Sequence, residues 1–382
     1  MKQRFDFEDI RPLYDEEVAP AMKEILKEPA LEGIFNYLFP NKSFDEIASE
    51  LLKVNSKKEF QKKFIAPFLW ILANKTAASL ELLNYDRISK EDSSTFISNH
   101  RDIILDAAFL NILLDKYGFD TTEVAIGDNL LIFPWIRDLV RMNKSFIVKR
   151  NMPVRQLLEV SRRLSSYIHF ALKIKEQSVW IAQREGRSKD STDHTQESLI
   201  KMLAMGGGKD LMRSIKSMNI TPVAISYEYD PCDYLKAKEF QLKRDYSDYK
   251  KEKKEDLLNM QTGLKGFKGR INFNVAGRLN DVIDSISPDS GKSEQVNAIA
   301  LLIDKMIHKN FVIYEVNYIA YDWLYQTDNY SDKYTAQQKQ QFQEYISQRL
   351  DKIDIENKDT EFLTKKLLEM YSNPLINFEK AQ

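Results

Sequence analysis

Five short β-rich runs, separated by amphipathic stretches, constrain the fold of this 382-residue chain more than any other feature. The runs are STFISN (94–99), TEVAIG (122–127), SFIVKR (145–150), SVWIAQ (178–183) and TPVAIS (221–226). Helical periods lie between them, clearest at Leu157, Leu164 and Leu172. Because parallel strands need crossover connections, this alternation predicts an α/β fold: a largely parallel sheet flanked by helices.

Helical patterns flank this region on both sides. Residues 1–92 place apolar side chains three and four apart, as at Ile47, Leu51 and Val54, and helical periods return after Ser293. A stretch from Lys236 to Arg270 carries eleven Lys and Arg against six Asp and Glu, and one more candidate strand, RINFNV (270–275), follows it. We expect a helical N-terminal region at 1–92, an α/β domain at 93–280 with a basic insert at 236–270, and a helical C-terminal region at 281–382.

The composition excludes several classes of protein. Lys and Arg number 56 against 57 Asp and Glu, and the resulting net charge of -1 excludes a globally basic nucleic-acid binder. The single cysteine, Cys232, excludes an internal disulfide framework and a Cys-based zinc or iron–sulfur site, which fits a reducing compartment. The four histidines lack metal-ligand spacing, so no metal site is predicted.

The chain has no segment typical of export or membrane spanning. Its N-terminus lacks the apolar stretch of a secretory signal. The most apolar segment, 64–83, is interrupted by Pro67 and by Asn74-Lys75 and falls short of the ~18–20 apolar residues that a spanning helix requires. We expect a cytoplasmic protein that does not cross a bilayer.

The segment TFISNHRDIILDAAFLN (95–111) carries the most informative chemistry. A predicted strand delivers His100 to its carboxyl end, and polar residues then open an apolar helical pattern. At the carboxyl edge of a parallel sheet, a histidine can act as an exposed general base with a nearby carboxylate fixing its tautomer. The alternative is structural, with Asp102 as a helix N-cap and His100 as an ordinary turn residue.

This segment resembles the first block, His-x4-Asp, of the glycerol-3-phosphate and 1-acylglycerol-3-phosphate (lysophosphatidate) acyltransferase superfamily. Three more segments are similar to its later blocks and follow in the same order: SFIVKR ending in Arg150, WIAQREGRSKD (180–190) and ITPVAISYEYDP (220–231). The resemblance covers about residues 80–280. Two departures stand out. Leu105 occupies the position of the family's aspartate, with Asp106 one residue later, and the third block lacks its usual Pro and Thr.

The resemblance implies acyl transfer from an acyl thioester, either acyl-CoA or acyl-ACP, to an acceptor hydroxyl, with no further cofactor. His100 would remove the hydroxyl proton, so that no serine or cysteine nucleophile is needed. Either Asp102 or Asp106 could orient it. We favour Asp106, because an N-cap role would occupy Asp102 and a helix start delayed by one residue would put Asp106 at the family's position. The resemblance also implies that the acceptor's anionic head is bound by Arg150, Glu185, Gly186, Arg187 and Ser188.

The acceptor implied by the resemblance is 1-acyl-glycerol-3-phosphate, in phospholipid biosynthesis. Alternatives are the same chemistry on glycerol-3-phosphate or on a lyso amino-acid lipid, and a non-catalytic lipid-binding scaffold. An enzyme of this kind would be peripherally associated with the inner face of the membrane. Two segments could dock there: 64–83, with Phe68 and Trp70 as anchors, and the basic insert. The other interpretations are a packed helix and a solvated charged connection.

Overall fold

The computed structural model describes residues 7–29, 31–33, 42–131, 133–150 and 152–382, and within them seven strands form one sheet. The strands are β1 (Ser79–Leu83), β2 (Thr95–Ser98), β3 (Glu123–Gly127), β4 (Ser145–Val148), β5 (Val179–Ala182), β6 (Ile220–Tyr227) and β7 (Arg270–Val275). Their order across the sheet is β1-β7-β6-β2-β5-β3-β4. β2 to β6 run parallel to one another, whereas β7 is antiparallel to β6 and parallel to β1.

The five β-rich runs of the sequence and the candidate strand RINFNV all form strands. The expectation of an α/β fold with a largely parallel sheet is confirmed. The sequence indicates no strand within the helical region 1–92, yet Ser79–Leu83 forms β1 and pairs with β7. Leu80 and Leu82 are buried and Glu81 is exposed, which is the alternation of a strand covered on one face. The division of the chain into regions that end at residues 92 and 280 stays a prediction. β1 belongs to the sheet although it precedes residue 93.

The helices cover both faces of this sheet, and further helices precede its first strand and follow its last strand in the chain. Helices before β3 include α1 (Asp15–Ile25), α2 (Phe44–Leu51), α3 (Lys57–Phe60), α4 (Ala66–Thr76) and α5 (Leu105–Lys116), with a π-helical turn at Gln61–Ile65. Between β3 and β7 lie α6 (Pro134–Met142), α7 (Val154–Lys173), α8 (Glu197–Ala204), α9 (Leu211–Lys216), α10 (Asp233–Asp245) and α11 (Lys253–Lys265). After β7 come α12 (Lys292–Lys309), α13 (Glu315–Tyr325), α14 (Ala336–Asp351) and α15 (Thr360–Ala381). Over the described part of the chain, no helix combines the length and apolarity needed to cross a membrane.

Consecutive residues of each central strand enter different cores. In β2, Phe96 packs in the cluster that includes α4 and α5, and Ile97 packs in the cluster that includes α7, α8 and α12. Trp180 and Ile181 of β5 divide in the same way. A sheet covered on both faces needs apolar residues at successive positions, which explains why these runs show little polar alternation.

The basic stretch from Lys236 to Arg270 forms α10 and α11 rather than an extended connection. Lys236 is buried, and its Nζ lies 2.5 Å from Asp230 Oδ2. Lys243 pairs with Glu239 at 2.9 Å, and Arg270 pairs with Glu228 at 2.9 Å. Ion pairs therefore balance part of the positive charge of this stretch, and of these three cations Lys236 alone is buried.

A buried ion pair connects the C-terminal helices to the start of α10. Asp233, at the start of α10, is fully buried, and its Oδ1 lies 2.6 Å from Arg349 Nε of α14. The hydroxyls of Tyr345 and Tyr371 donate to Asp233 Oδ2 at 2.7 and 2.8 Å. Burial raises the pKa of Asp233, and the Arg349 charge opposes that shift. Within the described ranges, the side chains bonded to this carboxylate all come from the C-terminal helices.

Replacing Arg349 by Met should destabilise the protein by about 3–5 kcal/mol, because it leaves a buried carboxylate without its cation. Urea denaturation at pH 7 measures the change. Lys27→Met is the matched control: Lys27 forms an exposed pair with Glu24, and its loss should cost less than about 0.5 kcal/mol.

The cost of Arg349→Met should shrink as the pH falls. Because burial raises the pKa of Asp233 in the folded protein, this carboxyl lowers the free energy of unfolding only at pH values where it is ionised in the unfolded chain. The loss of stability therefore fades as the pH drops toward the unfolded pKa of about 3.9. An equal loss of stability at pH 4.5 and pH 7.5 would contradict this role of the Asp233 charge.

Candidate active site

The central strand of the parallel part of the sheet positions His100. Ser98, the last residue of β2, lies between Ala182 of β5 and Val223 of β6. Beyond the strand, the Asn99 side chain donates to Ile225 O at 2.8 Å and accepts from Ile225 N at 2.8 Å. This pair of bonds continues the β2–β6 pairing by one residue and fixes the backbone that carries His100.

His100 is bound by Asp106. His100 Nδ1 lies 2.7 Å from Asp106 Oδ2, and the same oxygen accepts backbone N–H bonds from Arg101 at 2.6 Å and Asp102 at 3.0 Å. Asp106 is completely buried, whereas 14% of the His100 side chain is exposed. The carboxylate therefore holds the ring and its loop together while leaving the ring accessible.

Asp102 has a different task at the start of α5. Its Oδ1 accepts from the backbone N–H groups of Ile104 at 2.9 Å and Leu105 at 2.8 Å, as an N-terminal cap does. Burial, followed by the charge of Asp106, raises the pKa of Asp102. Because α5 begins at Leu105, Asp106 lies in its first turn and can reach back to His100, and so the structure pairs His100 with Asp106 and not with Asp102.

The hydrogen bonding of His100 defines what its ring can do. An Nδ1–H donated to Asp106 leaves Nε2 with its lone pair, and in the described part of the chain no residue bonds to Nε2. Trp180 packs edge-on against the ring, with centroids 5.8 Å apart, and its Nε1–H is satisfied by Ser98 Oγ at 3.0 Å. His100 thus has the arrangement of a general base.

Arg150 reaches the same sheet edge from β4. Its NH1 donates to Glu185 Oε1 at 2.9 Å, which joins the end of β4 to the loop after β5. Its buried Nε has no hydrogen-bond acceptor in the ranges that the structure describes. Arg150 and Glu185 therefore lie together, with part of the guanidinium still able to donate.

The loop after β5 brings three more of the predicted residues to this edge. Ser188 N donates to His100 O at 3.2 Å, and Ser188 Oγ donates to Asp190 at 3.3 Å, so Ser188 is buried beneath the loop rather than directed outward. Arg187 donates to Asn259 of α11 at 2.9 Å, and its buried NH1 has no acceptor among the described residues. Gly186 has a φ of 70°, a backbone conformation that would be strained in a residue with a side chain.

Several contacts of this site could not be foreseen from spacing. The Arg101 guanidinium pairs with buried Asp193 at 2.6 Å, locking the residue after His100 to the loop that follows β5. Tyr227, at the end of β6, is buried beside Asp106, and burial together with the Asp106 and Asp102 charges raises its pKa well above its usual value. Only the polar cluster Asn99 to Asp102 in the sequence hinted that these neighbours exist.

Two cavities lie near the sheet edge and on the far side of α5. The first lies between the end of β6 and α15 and is lined by Arg101, Tyr227 and Tyr371 among others. The second lies between the π-helical turn and α5 and is lined by Leu69 and Lys144 among others. No group of three His, Cys, Asp or Glu side chains in the described ranges is arranged to hold a metal ion.

Comparisons with known proteins give a distant structural likeness. No protein-family model matches the chain, and no curated protein matches its sequence. A solved structure that resembles it is that of the 1-acyl-sn-glycerophosphate (LPA) acyltransferase from Thermotoga maritima, at 12% identity and a TM-score of 0.34, over 74% of this chain and 91% of that chain. A likeness at this level does not establish a shared activity.

The His100 ring should be in the Nδ1–H tautomer in its neutral form, because a carboxylate only accepts. His169 is an internal control of opposite sense, since its Nε2 faces Leu203 O at 3.0 Å and must donate there. Long-range ¹H–¹⁵N NMR of the rings distinguishes the two tautomers. Asp106→Asn should alter the His100 pattern, and Asp102→Asn should leave it unchanged; the reverse would exchange the roles of the two aspartates.

Proposed function

We propose that this protein transfers a fatty acyl group from an acyl thioester, acyl-CoA or acyl-ACP, to the hydroxyl of 1-acyl-glycerol-3-phosphate in phospholipid biosynthesis. The observation that carries the proposal is the His100–Asp106 pair, an accessible imidazole held at 2.7 Å by a buried carboxylate. Its support from sequence is the resemblance of four ordered blocks to the glycerolipid acyltransferases. The distant structural likeness carries no part of it.

In this reaction His100 Nε2 accepts the proton of the acceptor hydroxyl while the oxygen forms a bond to the thioester carbonyl carbon. The tetrahedral intermediate then collapses, the C–S bond breaks, and the leaving thiolate takes the proton back from the imidazolium. Asp106 stabilises the imidazolium through Nδ1 and keeps the ring oriented throughout. Cys232 takes no part, because it is buried and burial raises the pKa of its thiol to about 12.

The acceptor's anionic head would be held by Arg150 and Arg187. Each keeps a buried guanidinium N–H with no protein acceptor in the described part of the chain, and a phosphate oxygen can satisfy such a donor. Glu185 orients Arg150, and the left-handed turn at Gly186 sets the direction of Arg187. Arg187 also interacts with the charges of Asp102 and Asp230, so its cation serves the fold as well.

Because the proposed acceptor is a lipid, we place the enzyme at the cytoplasmic face of a membrane, as a peripheral protein. The sheet edge that carries His100 would face the bilayer. The balanced charge of the chain gives no reason to expect a nucleic-acid partner.

Variants of the His–Asp pair test the chemistry. His100→Ala should reduce acyl transfer to background with the fold intact, and Asp106→Asn should cost several orders of magnitude in kcat because tautomer control is lost. Asp102→Asn should cost about tenfold or less, since Asn can still cap α5. Rates are measured with labelled acyl-CoA or acyl-ACP, and circular dichroism checks folding.

The same assay with a panel of acceptors identifies the substrate. Turnover of 1-acyl-glycerol-3-phosphate above glycerol-3-phosphate and lyso amino-acid lipids is the expected result. Substantial transfer by His100→Ala protein would overturn the mechanism. Thioester hydrolysis without transfer, or no turnover with any acceptor, would overturn the proposed function.

Conservative variants test the two arginines. Arg150→Lys or Arg187→Lys should raise the acceptor's KM or lower kcat/KM about tenfold or more, and leave the KM for the acyl donor nearly unchanged, because a point charge does not replace a planar fork. Arg278→Lys, at an exposed pair with Asp92, is the control and should change neither. A loss confined to acyl-donor KM would show that the assignment is wrong. Thermal melting of each variant shows whether the substitution has weakened acceptor binding alone or has also destabilised the fold around Asp102.

A further inference from the structure

Four large apolar side chains at the start of α6 and α7 are exposed. The exposed fractions are 48% for Phe133, 89% for Val154, 53% for Leu157 and 58% for Leu158. Deeper in α7 the pattern is the usual one, with Leu164 and Ile168 buried in the core. We call Phe133, Val154, Leu157 and Leu158 the apolar rim.

The apolar rim borders the candidate active site. Phe133 immediately precedes α6, which follows β3, and Val154 begins α7, which follows β4. β3 and β4 are parallel neighbours, so their carboxyl ends lie at one edge of the sheet, the edge that carries His100 and Arg150. Helices that begin at this edge present their first turns beside the cleft.

The same region concentrates positive charge. Residues 133–163 contain eight Lys and Arg against two Asp and Glu, in a chain whose net charge is -1. Arg137, Arg155 and Arg162 are exposed there, and Arg155 directly follows Val154 of the rim. Lys149 and Arg163 are paired with Asp9, and Arg150 with Glu185, so the three exposed arginines carry the outward charge.

The exposure of the rim favours a lipid bilayer as its partner over a protein segment that would bind in a groove. Val154 and Phe133 project from helix starts, and none of the four rim residues lines either of the two cavities described above. Exposed apolar side chains flanked by arginines suit the interface of an anionic bilayer, where the side chains enter the acyl region and the cations meet the headgroups.

We propose that the apolar rim is the surface through which this protein docks on an anionic lipid bilayer. The choice of lipid as partner rests on the proposed function, since an acceptor dissolved in the bilayer would meet His100 and Arg150 at the same edge. When the rim is docked, the lipid acceptor can reach the site without crossing water.

Of the two segments singled out in the sequence, segment 64–83 is less suited to this role. In segment 64–83, Phe64, Leu69 and Leu72 are buried in the protein, and Phe68 and Trp70 are partly buried against the same cores. In the basic insert, several cations form pairs with neighbouring carboxylates, as Lys236 and Lys243 do, but Leu257, Leu258 and Phe267 are 39%, 46% and 58% exposed. The insert therefore has exposed apolar area of its own, and the Leu157/Leu158 variant isolates the contribution of the rim.

The test compares two sites on α7. Full-length Leu157→Glu/Leu158→Glu protein should lose about tenfold or more of its binding to vesicles of phosphatidylglycerol and phosphatidylcholine, measured by flotation at low salt. Ile174→Glu is the matched control, because Ile174 is 67% exposed at the opposite end of the same helix, and it should bind like wild type. Arg155→Gln/Arg162→Gln should weaken binding at low salt and little at high salt. Thermal melting should show all variants folded.

Several outcomes would overturn docking by the rim. One is wild-type protein that does not float at low salt, and another is the Leu157/Leu158 variant floating as well as wild type. A third is wild-type protein that sediments as a dimer and becomes monomeric in that variant, because the rim would then be covered by a second copy. His100→Ala protein should float like wild type. If rim-dependent flotation occurs and no acceptor is acylated, the proposed function fails while the docking surface stands.

Discussion

One buried oxygen, Oδ2 of Asp106, sets the geometry on which the site depends. Its three donors come from consecutive residues: the ring of His100 and the backbone amides of Arg101 and Asp102. The atom that orients the imidazole therefore also fixes the path of the chain beneath it. An ionised carboxylate with no exposure would be costly without such donors, so the fold and the base are stabilised by the same bonds.

Behind this carboxylate, burial and countercharge balance each other. Burial alone would raise the pKa of Asp230, but the Lys236 ion pair, together with the Cys232 amide and the Arg187 charge, lowers it. Lys268 is enclosed among backbone oxygens, and burial lowers its pKa to about 8. Arg187 stands between these buried groups and the cleft, interacting with Asp102 and Asp230 while keeping one N–H without an acceptor in the described residues. A residue with both tasks links stability to ligand recognition.

Much of the fold could be predicted because the central strands are short apolar runs bounded by polar residues. β1 was missed because Leu80 and Leu82 alternate over only five residues directly after an apolar helix. His100 and the carboxylates near it could be singled out, since they are close in sequence. Contacts such as Asn99 with Ile225 or Arg101 with Asp193 join segments about a hundred residues apart, and only the packed chain brings them together.

The antiparallel step between β6 and β7 has an evolutionary consequence. A parallel crossover must traverse the sheet, but the β6–β7 connection leaves and returns at one edge, so it can lengthen or shorten without moving a strand. Here it contains α10 and α11, and α11 comes so close that a Cβ on Gly263 would lie 2.0 Å from Asp102 Oδ2, while its Asn259 accepts from Arg187. This excursion can therefore diverge away from those two contacts, reshaping one side of the site, while the sheet that carries His100 stays constant.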